Sequence, residues 1–158
     1  MLRCLTRTRS FNDARSIFIF LSLTLLLPAT LLAQDFAGGD GSEANPYQIE
    51  TWDHLNNIRN HMSAHFVLNN HLTPETQGYA THVKDGATLA DGGQGWDPIG
   101  GCSATDEGIV CLRFSGVLDG NHHAIEGLEI NRSQQAFTGL FGLTGQDAVI
   151  KNVDLIQL

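Results

Sequence analysis

Apolar and polar positions alternate in short stretches along most of this chain, and at one place only do they fall at helical spacing. Tyr47–Ile49 reads as a short strand behind a Gly-rich lead-in, "FAGGDGSEANP". Trp52, Leu55, Ile58 and Met62 then recur every three to four positions, which predicts a helix over Thr51–Met62. Thr51 suits its N-cap, and Asp53 suits the positive end of the helix. "AHFVLNNHL" returns to alternation, with Phe66 and Leu68 on one face. From Thr73 to Gly95 the chain is polar and Gly-rich, and a loop of this length in a compact domain is expected to be functional or mobile.

The last third repeats itself. "AIEGLEI" (Ala124–Ile130) aligns without gaps on "VIKNVDL" (Val149–Leu155) at an offset of 25 residues. Ile125 matches Ile150, Leu128 matches Val153 and Ile130 matches Leu155, while Gly127 matches Asn152, the two residue types most tolerant of positive φ. A period in this range signals a solenoid, and short strands with a bend residue at a fixed place describe one coil of a parallel β-helix. The expected fold is therefore all-β, with the Thr51–Met62 helix capping the first coil. The closing "VIKNVDLIQL" is expected to leave an apolar-faced strand open, to be covered by further coils, a partner or a second copy.

The first residues follow a different pattern. Arg3, Arg7, Arg9 and Arg15 precede an apolar run from Ile17 to Ala33, the form of a secretory signal cut after Ala33. The expected organisation is a signal peptide over 1–33, a Gly-rich lead-in and first strand over 34–50, and the capping helix and coils over 51–158, incomplete at the C-terminal end. The whole chain carries a formal net charge of −8, and the basic leader makes the remainder more acidic still. Such a surface repels nucleic acid. All 17 Gly lie beyond the leader, about twice the usual density there, in keeping with many tight turns.

Cys4 belongs to the leader, which leaves Cys102 and Cys111 in "GCSATDEGIVC" as a pair. In an oxidising compartment a disulfide closing this loop is the natural reading, and no further Cys or His flanks the pair to suggest a metal. Other candidate chemistry is weaker. His61 and His65 in "HMSAH" have zincin spacing, but Met62 stands where the general-base glutamate belongs. Asp119, His122 and His123 read more simply as a turn, "DGN", than as an acid–base set. "GGDGSE" lacks the alternating acids of a calcium loop, and "DGGQG" lacks the Lys of a phosphate cradle. "NRS" at Asn131 fits a glycosylation acceptor. No catalytic, metal or cofactor site is expected.

"GDGSEANPYQI", "LNNIRNHMSAHFVLNN", "WDPIG", "FSGVLDGNHHAIEGLEI" and "GLFG" with "AVIKNVDL" together resemble the GLUG-motif proteins, in order and spacing, over most of residues 38–158. The resemblance implies a secreted or surface bacterial protein built on a right-handed β-helix. Similar segments stand, without being catalytic, beside the catalytic parts of immunoglobulin A-cleaving metallopeptidases and in haemagglutinin-like adhesins. The chain departs from the pattern at His71, where an acidic residue is usual, and at His122, which replaces a turn glycine; its 73–95 loop is also longer. The function expected is a non-catalytic surface module for binding, adhesion or scaffolding, with an extracellular glycan or protein as ligand. The alternatives are an accessory segment of a larger secreted peptidase or carbohydrate-active enzyme, or a truncated product of such a gene.

Overall fold

The computed structural model describes residues 35–84 and 93–157. The chain divides into two units, Met1–Leu31 and Leu32–Leu158, and the described residues belong to the second. The signal peptide expected over 1–33 lies outside them, as do the middle of the 73–95 loop and Leu158.

The elements run β1 (Tyr47–Ile49), α1 (Trp52–Asn57) continued by a 3-10 turn (Ile58–Asn60), β2 (His65–Leu68), α2 (Tyr79–His82), β3 (Gly101–Thr105), β4 (Gly108–Leu112), β5 (Val117–Glu126) and β6 (Val149–Ile156). Four strands form one parallel sheet in the order β1-β2-β5-β6, and β3 and β4 form a separate antiparallel hairpin. Thr51 caps α1, its Oγ1 accepting from the His54 N–H at 3.1 Å. Trp52, Leu55 and Ile58 on one side of this short helical segment are fully buried beneath the sheet's apolar residues Ile49, Phe66, Leu68, Leu118 and Ile125.

The expected all-β, right-handed parallel β-helix is not the architecture: the described residues form a small mixed α/β domain with one four-stranded sheet, one hairpin and two short helices. A solenoid needs a near-constant length of chain between neighbouring strands. Here Tyr47 stands beside Phe66, Phe66 beside Leu118 and Leu118 beside Ile150, steps of 19, 52 and 32 residues.

The 25-residue offset does not set the pairing either. Ile125 stands beside Leu155, Ile150 beside Leu118 and Val153 beside His123. Gly127, Leu128 and Ile130 lie past the end of β5; Leu128 and Ile130 pack on the core, and Ile130 bridges antiparallel to Gly95. The register shifts between Asp119 and His123, because β5 spends four residues where β6 spends two. Asn121 and His122 take up this excess at φ of 47° and 63°, and Asn152 bends β6 at φ 53°. After the bend Ala124 and Ile125 face the core, so burial rather than local similarity fixes the register.

The polar 73–95 stretch also holds more than a loop. Tyr79 and Val83 are buried, and the Tyr79 hydroxyl donates to the Gly127 carbonyl at 2.9 Å. Gly78 precedes α2 at φ 87°, where an added Cβ would come within 2.8 Å of the Asp53 backbone nitrogen. The Asp53 carboxylate joins the two helices, accepting from Gln77 Nε2 at 2.9 Å and meeting His82 Nε2 at 2.7 Å. Partial burial works to raise its pKa, but these hydrogen bonds and the nearby His82 and His54 outweigh it and hold the carboxyl below the usual aspartate range.

Candidate functional site

Among the described residues, a groove of about 970 Å³ is lined by the β3–β4 hairpin and the segment Gln134–Phe137. Arg59 and Met62 beyond α1 and Asp97 and Pro98 ahead of β3 also line it. The hairpin pairs Gly101 with Leu112, Ser103 with Val110 and Thr105 with Gly108, and these share one face because strand side chains alternate. Gly101, Ser103, Thr105, Val110 and Leu112 of that face line the groove, together with Cys102. The other face carries Ala104, Ile109 and the disulfide Cys102–Cys111, which joins directly opposed residues with Cα atoms 4.0 Å apart.

The groove walls are unusual in what they leave uncovered. Val110 is 51% exposed and Leu112 61%, and Phe137, in the same lining, is 42% exposed. Asn60, Gln94, Gln134 and Gln135 add amide groups. The charged lining residues are Arg59 and Asp97, which neutralise one another: Arg59 Nη1 lies 3.1 Å from Asp97 Oδ2, and Nη2 donates to the Asp97 carbonyl at 2.9 Å. Arg132 donates to the Trp96 and Gly95 carbonyls at 2.9 and 3.1 Å, fixing the strip that carries Asp97. The groove lining is thus amphipathic, and its one carboxylate is shared, since Asp97 Oδ1 also lies 3.6 Å from Arg132 Nη1.

The histidine and carboxylate candidates do not assemble. His61 follows the 3-10 turn and packs its ring on Tyr47 and Phe36, with centroids 5.1 and 5.4 Å away, while His65 opens β2. Asp119 accepts from the Asn121 N–H at 2.9 Å and Asn152 Nδ2 at 3.0 Å, and its second oxygen lies 3.2 Å from Lys151 Nζ. The Asn121 backbone donor, with Asn152 and Lys151, holds its carboxyl below the ordinary range. His122 is exposed at the bend. His123 turns instead to His71, ring centroids 5.1 Å apart, and its Nδ1 is buried without a hydrogen-bond partner among the described residues. His71 Nδ1 accepts from the Ala124 N–H at 2.9 Å, which anchors the backbone there. Asp40 in "GGDGSE" accepts from the Ser42 N–H at 3.0 Å, closing a tight turn. Among the described residues no group of three or more His, Cys, Asp or Glu is placed to hold a metal ion.

Sequence reasoning found the disulfide but missed the groove. The apolar run in "GIVCL" carried the signal: an apolar strand with nothing nearby assigned to bury it.

No family model matches the chain, and no solved structure matches it. Two known proteins do. A "Putative Gly-rich membrane protein" of Evansella cellulosilytica is 37% identical over 122 residues, covering 76% of this chain and 12% of that protein. "Halomucin" of Haloquadratum walsbyi is 34% identical over 122 residues, covering 74% of this chain and 1% of that protein. The chain therefore spans only a small part of the length of the relatives it matches. No helix among the described residues is long and apolar enough to cross a membrane.

Proposed function

We propose that this chain is a non-catalytic binding segment of an exported or membrane-associated surface protein, and that the groove beneath the β3–β4 hairpin holds its ligand. The observation that carries this reading is the exposure of Val110, Leu112 and Phe137 in the lining of one groove whose charged lining residues pair with each other. Pockets of this make-up, apolar with a few polar groups, are the default binding-site expectation. Amide side chains both donate and accept, which suits a partner rich in hydroxyls, and the Phe137 ring offers a flat apolar face. An acidic surround disfavours polyanions. Together these features favour a neutral glycan.

Export is supported by the basic leader and apolar run, by a disulfide of the kind that persists outside the reducing cytosol, and by relatives named as a membrane protein and a halomucin. The great length of those relatives supports a segment that works within a larger surface protein.

The test is binding to an immobilised panel of neutral oligosaccharides and extracellular proteins, for the parent and for Phe137→Ala and Val110→Asp. Both side chains are exposed, so melting temperature should hold while affinity falls roughly tenfold or more. Capture by a protein on the panel, with the same loss in both variants, would replace glycan by protein as the ligand. Unchanged affinity in both variants would remove the groove from the reading.

A further inference from the structure

The four-stranded sheet has two edges, and they end differently. The β1 edge is closed by the preceding chain: the Ala37 N–H donates to the Gln48 carbonyl at 3.0 Å, and the Gln48 N–H donates to the Gly38 carbonyl at 2.9 Å. The outer side of β6 pairs with no strand among the described residues. The apolar rows that end there are incomplete. Leu118 and Ile125 are fully buried, whereas their neighbours Ile150 and Leu155 are 43% and 57% exposed. An open, apolar edge is a template for another strand.

The sequence of β6 matches a reversed copy of itself. Read from either end, "VIKNVDLI" gives two apolar residues, a charged residue and a two-residue centre, and the charges at Lys151 and Asp154 are opposite. Laid antiparallel, two copies set Val149 and Ile150 of one near Leu155 and Ile156 of the other and bring each Lys151 toward the other's Asp154. Opposite charges and apolar pairs across strands are both favourable. Head-to-tail stacking, which would need a free β1 edge, is blocked, so the association closes at two copies.

We infer that β6 is a dimer edge, where a second copy of this chain pairs its own β6 antiparallel to this one. The inference is independent of the groove. It is tested by sedimentation equilibrium of the full chain across a concentration series, with hydrogen exchange of the 149–156 amides. The expected result is a monomer–dimer equilibrium in which those amides gain protection as dimer forms. Asp154→Lys should raise the dimer Kd roughly tenfold, since it removes two cross-strand charge pairs and sets like charges together. Ile156→Lys, at another exposed position, should weaken it as well, and circular dichroism checks that both variants fold. A monomer at every concentration overturns the inference. So does a dimer indifferent to both substitutions, or a monomer whose β6 amides are already protected, which would mean that the chain itself or its continuation covers the edge.

Discussion

Asn121, His122 and Asn152 hold left-handed backbone conformations, and the two bends they make are stitched together by one carboxylate. Asn tolerates this region; His at φ 63° does so at a cost of about 1 kcal/mol. His122→Gly should therefore stabilise the fold by about 0.5 kcal/mol, the relief being partly offset by the freer unfolded chain. A small rise in urea midpoint at constant slope would show it, and a fall would mean that the His122 side chain makes a contribution beyond its backbone. Asp119 gives a pH dependence of definite sign. Its folded pKa is depressed, so its contribution is complete above the unfolded value, about pH 4, and fades as pH falls through the lower folded value. Urea melts between pH 6 and pH 2.5 should lose stability on the acid side, and Asp119→Asn should flatten that loss. An equally steep loss in the variant would assign the acid sensitivity to other carboxyls such as Asp53.

Among the elements, those whose periodicity is local were legible in the sequence. β1, α1 and β2 lie where alternation and helical spacing predict, because Trp52, Leu55, Phe66 and Leu68 each bury one face of a short segment. α2 was not legible: Tyr79 and Val83 become apolar anchors only because α1 and Gly127 lie beside them. Nor was the pairing of β5 with β6, which a two-residue excess at the bend decides and which overrides the 25-residue likeness. The hairpin is an element that stands apart from the core, most of its residues exposed. A cross-link over a ten-residue loop would stabilise by about 2.5–3 kcal/mol if hairpin and core unfolded together. Because the hairpin can open alone, Cys102→Ser/Cys111→Ser should lose far less in global melts, while the 101–112 amides exchange faster. A loss of the full entropic amount would show that the hairpin is welded into the cooperative unit.

At the scale of the whole molecule, a compact core of aromatic and aliphatic residues carries two uncovered apolar surfaces: the groove under the hairpin and the edge of β6. The core accounts for folding, and the two uncovered surfaces are the ones proposed to bind. Charge sharpens the distinction, since in this acidic chain the groove's Arg59 is compensated by Asp97, which Arg132 also approaches. Asp97→Asn should leave that guanidinium uncompensated and admit anionic ligands that the parent rejects, measurable as new binding to sulfated oligosaccharides at low salt and lost at high salt.

The most direct measurement is amide chemical-shift mapping of the chain titrated with the tightest-binding neutral oligosaccharide from the panel. The expected result is perturbation concentrated at 101–112 and 134–137, saturating with the ligand and absent in Phe137→Ala. Perturbation centred on β6 or on the His71–His123 contact, or a titration that Phe137→Ala leaves unchanged, would contradict the assignment of the groove.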